Sequence, residues 1–252
     1  MNGRSWMRAY SCGMILALAA PVVLRAQEVD TVYVGSPSLA DAVLIPGTYV
    51  IENHRREGEV DAMTGTTRQT VQRAERGGVP VWVVEFEHVS GDTTYSSMVS
   101  RADDFSLVHY RVQAPRDSAA VTAGDGYLTG WTVLPEQPVN LLDRELGQAV
   151  FPIEGQVPWL FPLLPLREGY AAAIPHFNPW NGGETWSEIR VLGPETIDVH
   201  GRSVSCWKVD GGELFRGYRV TYWIDRETRR VVRGEARGEG DGPVYWSELA
   251  AP

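Results

Sequence analysis

The residues able to do chemistry are few and scattered. Five histidines (His54, His88, His109, His176 and His200) stand apart along the 252-residue chain. None has the short spacing that sets two ligands side by side, so no metal site is expected. Asp103-Asp104 is a carboxylate pair, but it lies in a turn signal, where solvated acids are the ordinary occupants. The sequence has no Gly-x-Ser-x-Gly elbow, phosphate loop, dinucleotide glycine pattern or His-Glu-x-x-His helix. No catalytic residue is therefore assigned and no cofactor is expected. Two basic doublets, Arg55-Arg56 and Arg229-Arg230, have the chemistry to hold an anion. Each neighbours an acid, Glu57 or Glu227, and a solvated face is the preferred reading of both. Cys206, inside VSCWKV, reads as a buried small hydrophobe rather than a nucleophile.

What remains is an excess of aromatic side chains. Trp82, Trp131, Trp159, Trp180, Trp186, Trp207, Trp223 and Trp246 all lie beyond the first 26 residues. Large aromatics are first of all core material. The sharper reading is that some of them line an apolar cavity. Candidate lining residues are Trp82, Val84 and Phe86 on one segment and Tyr218, Val220 and Tyr222 on another. Trp159, Leu160 and Phe161 are the candidate cover.

The elements that would position these residues are strands. Turn signals recur from Arg56-Glu57-Gly58 through Ser90-Gly91-Asp92 and Asp210-Gly211-Gly212 to Asp225–Thr228 and Gly238–Gly242. Their spacing of roughly 8–12 residues is that of an antiparallel sandwich or barrel. Between them, VPVWVVEFEHV sets Trp82, Val84 and Phe86 on one face against Val81, Val83, Glu85 and Glu87. GYRVTYWID sets Tyr218, Val220, Tyr222 and Ile224 against Arg219, Thr221 and Asp225, with Trp223 among the polar set. This period-2 alternation suits a half-buried strand.

Two segments break the pattern. Pro37–Leu44 is compatible with one or two helical turns. Residues 151–166 (FPIEGQVPWLFPLLPL) are almost wholly apolar yet contain four prolines, which fits neither a central strand nor a long helix. A short helix opening at Pro158, flanked by extended chain, is the expectation. A wide sheet needs its concave face covered, and this segment is the candidate lid or plug.

The N-terminus reads as an export signal. Arg4 and Arg8 precede an apolar run, Gly13–Leu24, too short to span a bilayer comfortably, and Arg25-Ala26 follows. Residues 1–26 are expected to be a signal peptide, with a retained anchor as the alternative, and 27–252 a single β-rich domain without a further membrane segment. Loss of residues 1–26 removes three arginines and no acid, moving the formal charge from −9 to −12. Such an acidic chain is a poor partner for nucleic acid or anionic membrane surfaces. A periplasmic or secreted location follows from the signal. One thiol would remain, which leaves no internal disulfide.

The C-terminal part resembles a group of exported bacterial domains of unknown function related to the Lol lipoprotein carriers. The resemblance rests on Val199–Ser203, Cys206–Val209 and the run Val220–Arg233. In that run a strand ending Trp223-Ile224-Asp225 turns through a polar loop into a basic strand. The stretch Leu163–Tyr170 also resembles the segment that precedes these hairpins. The resemblance implies a strongly curved antiparallel half-barrel around an apolar cavity closed by short helices, used by related carriers to shield acyl chains. The chain departs from the carriers in having only Pro37–Leu44 where they place an early amphipathic helix.

Together these readings give a mainly β fold: one large curved antiparallel sheet, a half-barrel or open barrel, with one or two short helices. The expected function is binding or carriage of a hydrophobic, lipid-like ligand. A non-enzymatic envelope scaffold with a self-filled core is the alternative, and a hydrolase of unrecognised geometry is the least favoured.

Overall fold

The computed structural model describes residues 29–251 apart from 40–43, 125, 152–153, 181, 216 and 241, with backbone alone for 154–158 and 214–215. The expected signal peptide, residues 1–26, lies outside the described residues.

After the short β1 (Asp30–Thr31), eight strands follow one another: β2 (Gly47–Glu57), β3 (Val60–Arg76), β4 (Val79–Ser90), β5 (Asp92–Arg101), β6 (Leu107–Gln113), β7 (Ser118–Gly124), β8 (Tyr127–Val133) and β9 (Asn140–Glu145). Residues 146–170 then lead to a second set: β10 (Ala171–Asn178), β11 (Gly183–Val199), β12 (Arg202–Phe215), β13 (Tyr218–Asp225), β14 (Val231–Arg237) and β15 (Val244–Leu249).

All fifteen described strands belong to one sheet, ordered β1-β10-β11-β12-β13-β14-β15-β2 and on through β9. β15 therefore sits mid-sheet, with Leu249 opposite Ile51 and Val244 opposite Arg56. The order has two ends, so the sheet is open, in line with the expected half-barrel or open barrel. One pairing departs from the antiparallel expectation: β1 runs parallel to β10. No hairpin joins these two strands, so nothing forces them to run in opposite directions.

The hairpins show why the turn residues matter. Between β13 and β14 the Asp225 carboxylate accepts the Glu227 amide at 2.9 Å and the Thr228 hydroxyl at 2.6 Å. The backbone closes the loop through Arg229 N–H to Asp225 C=O. Asp210-Gly211-Gly212, expected as a turn, is instead a bulge within β12. The pairing with β13 shifts between Asp210 and Glu213, and the Asp210 carboxylate accepts the Gly212 amide at 3.0 Å. The same side-chain-to-backbone bond serves a turn or a bulge, and the long partner strand decided between them.

A bulge in β11 has a larger effect. The register against β12 slips between Val191 and Gly193, and one inserted residue reverses which side chains face inward. Ile189 and Val191 join the main core, while Ile197 and Val199 join a separate cluster on the outer face.

The main core lies on the inner face and draws on strands from β3 to β13. Topology dictates what fills it. β9 is one edge of the sheet and β10 lies beside the other, so residues 146–170 must cross from edge to edge. They do so as a strap with a 3-10 helix at Glu154–Leu163. The helix begins four residues before Pro158, where the sequence reading opened it, and is 3-10 rather than α. Pro37–Leu39 is a second 3-10 turn, and residues 40–43 of that expected helix lie outside the described residues. Among the described residues no helix is long and apolar enough to cross a membrane.

Candidate ligand-binding site

The strap enters beside β10, where Phe151 makes an isolated bridge to His176. Leu160, Phe161 and Leu164 are all at most 1% exposed. Phe161 meets Tyr222 edge-on at 5.4 Å and Trp159 tilts against Phe105 at 6.0 Å. These contacts fix the strap to both halves of the sheet.

Tyr222 has a made seat. A Cβ added at Gly211 on β12 would come within 2.7 Å of its ring, and one at Gly234 on β14 within 3.4 Å. The glycines on both flanking strands therefore let the ring lie flat across the inner face. Burial drives its phenol well above the ordinary tyrosine range, so it stays neutral.

Between the strap and strands β2, β3, β14 and β15 lies a cavity of about 330 Å³, at the lower end of ligand-pocket sizes. Its apolar wall includes Leu44, Ile45, Tyr49, Ile51, Val71, Phe86, Trp159 and Tyr222. One polar stretch of the wall is satisfied internally: Asn53 donates to the Thr67 hydroxyl at 2.9 Å, which in turn lies 2.9 Å from His88 Nδ1.

Another stretch is not satisfied. Arg229 donates to the Leu164 carbonyl at 2.5 Å, and burial depresses the pKa of its guanidinium. The Arg230 guanidinium lies 4.7 Å from the Tyr49 ring centre. Both arginines line the cavity, and neither forms an ion pair among the described residues. Arg230 Nε and Trp159 Nε1, on two of the lining residues, are buried donors with no acceptor among the described residues. A buried donor left unpaired costs about 1–3 kcal/mol.

Of the nine residues singled out from sequence, Phe86, Trp159 and Tyr222 line this cavity. Trp82, Val84, Leu160, Phe161 and Val220 are buried in the adjoining core. Tyr218 shares the face of Tyr222 but stands at the start of β13, where it packs on Tyr245 at 5.6 Å, outside the cavity lining.

The sequence reading missed Arg229 and Arg230, placing them on a solvated face. The Asp225-held turn leaves Glu227 exposed while both arginines bend inward. Arg229 adopts a left-handed backbone, φ 54°, which ends the turn. The signal was the aspartate that opens the loop. The other doublet is paired, Arg55 with Glu57 at 2.7 Å and Arg56 with Glu235 at 3.6 Å.

On the outer face the fold brings together two histidines separated in sequence. His54 stacks on Trp246 at 3.9 Å and lies 3.8 Å from Glu52, while His200 lies 3.5 Å from Glu248. Among the described residues no group of three or more ligating side chains is placed to hold a metal ion. Cys206 is fully buried, and desolvation pushes its thiol up to about 11, as suits a packing residue.

No curated protein matches the chain. Among solved structures it is similar to a DUF1329 family protein from Desulfovibrio piger, at 10% identity over 81% of this chain and 82% of that one, with a TM-score of 0.25. The family of proteins of unknown function called DUF3108 matches residues 58–237. That span runs from the β2–β3 turn to the end of β14 and takes in the whole strap, so the chain belongs to this family.

Proposed function

We propose that this protein binds, and in its compartment carries, a hydrophobic ligand held between the inner face of the sheet and the strap. The observation that supports this most is the cavity of about 330 Å³ beside a strap whose Trp159, Pro162 and Leu163 form part of its wall. Each CH₂ moved there from water contributes about 0.8 kcal/mol, so a partly enclosed tail would bind usefully. The export signal read from residues 1–26 supports a periplasmic or secreted setting for this activity. The resemblance to domains related to the Lol lipoprotein carriers agrees with acyl-chain shielding as the role.

The test is native mass spectrometry on protein purified from the periplasm, with organic extraction of anything bound. A co-purifying apolar molecule is expected. A second reading is favoured by the fully buried Phe161 and Leu164: the strap itself fills the sheet, and the protein is a scaffold. An apo mass with no uptake from a lipid mixture would decide for that reading.

A further inference from the structure

The wall of the cavity is not uniformly apolar, and its polar groups are unbalanced in one direction. The unsatisfied atoms are donors: Arg230 Nε and Trp159 Nε1. Three arginines border the same space: Arg233 is paired with Glu248, whereas among the described residues Arg229 meets a backbone carbonyl and Arg230 an aromatic face, neither with an acid. The nearby Glu248 carboxylate does not balance them, because Arg233 and His200 already occupy it. Asp225 is likewise committed to its own turn. An occupant with a negatively charged acceptor oxygen would answer the two guanidiniums in both charge and hydrogen bonding, a neutral acceptor would answer them in hydrogen bonding alone, and a cation would answer neither.

The geometry points to an anionic single-tailed amphiphile as the ligand, its acidic headgroup on Arg229 and Arg230 and its tail against Tyr49, Phe86 and Tyr222. This rests on the hydrophobic-ligand reading above and narrows it to a chemical class. A cavity of about 330 Å³ is at the small end for a ligand pocket, which favours one chain over two. Arg230 is the discriminating residue, since its contact with another segment is the Tyr49 ring face, whereas Arg229 ties the strap through a hydrogen bond to Leu164. A guanidinium can grip a carboxylate or phosphate oxygen pair with two parallel bonds.

Isothermal titration of the full mature chain with laurate, dodecanol and inorganic phosphate, each amphiphile below its micellar concentration, tests this. Laurate is expected to bind about tenfold more tightly than dodecanol, the worth of one good charge-assisted contact, and phosphate alone only weakly. Arg230→Gln, confirmed folded by its circular dichroism, should abolish most of the preference for laurate over dodecanol, and Arg230→Lys should restore part of it. Equal binding of laurate and dodecanol overturns the anionic headgroup but leaves the hydrophobic-ligand reading standing. Phosphate binding as tight as laurate overturns the amphiphile in favour of a free-anion site. Failure of both amphiphiles to bind removes the parent reading and this one with it.

Discussion

On the outer face of β12 to β14, basic side chains are matched by acids. Lys208 meets Glu195 at 2.9 Å and lies over the Trp223 ring at 5.3 Å. Arg233 binds Glu248, which is only 6% exposed, and also donates to the Asp198 carbonyl at 2.7 Å. On the inner side, Arg229 and Arg230, only a few residues before Arg233, meet a carbonyl and an aromatic ring instead. The outer charges complete a structure that is already whole. The inner ones hold the strap and a tyrosine ring but have no acid for a partner among the described residues.

The largest expected effect lies where both faces agree, in the buried strap. Phe161→Ala should destabilise the protein by about 3–5 kcal/mol, read by chemical denaturation, because a large ring is removed from a fully packed site. The comparison between the faces is sharpest in a pair of matched substitutions. Arg233→Met leaves the Glu248 carboxylate buried without its main partner and should cost about 3 kcal/mol. Arg230→Met breaks one cation–π contact and removes one orphan donor, so it should cost less than about 1 kcal/mol. Equal losses from the two would mean that Arg230 is structural, and the contrast between the faces would fail.

A smaller effect is expected from pH. His176 is 1% exposed, its Nε2 is 2.9 Å from the Thr185 hydroxyl, and burial holds its pKa below the ordinary histidine value. The unfolded chain takes up a proton near pH 6.5 that the folded chain resists. Stability is therefore full above about pH 6.5 and declines as the pH falls below it. His176→Gln should flatten the denaturation midpoint measured between pH 7 and pH 5. The smallest effect is chemical: Cys206 should resist iodoacetamide in the native state and label readily only after unfolding. Rapid native labelling would show the outer cluster around Trp223 to be open.

Much of this architecture was legible in the residues, for local reasons. Alternation in GYRVTYWID assigned Tyr222 and Ile224 to one face and set Trp223 on the other, because period-2 geometry needs no knowledge of partners. The prolines of 151–166 marked a segment that could be neither central strand nor long helix. Legibility ended where a second strand had the deciding vote. Asp210-Gly211-Gly212 has the composition of a turn, yet β11 and β13 on either side carried the chain through as a bulge. The inward bend of Arg229-Arg230 depended on Asp225 holding its own turn, whereas the adjacent Glu227 suggested solvent. Tyr218 shows the remaining gap: alternation gives the face of a residue but not how far along the strand the cavity reaches.

The mid-sheet place of β15 bears on how the molecule comes into being. Until this last strand in chain order arrives, β2 and β14 are both open edges, and the two sets of strands have no ladder joining them. Its partner β2 lies almost the whole chain away, a long-range closure of the kind that slows folding. A chain synthesised from its N-terminus would thus present two unjoined sheets, with an exposed seam, until β15 has emerged. Such an edge invites pairing with a foreign strand. The last strand therefore works as a clasp, and the cavity beside it has a complete wall only once that clasp is shut.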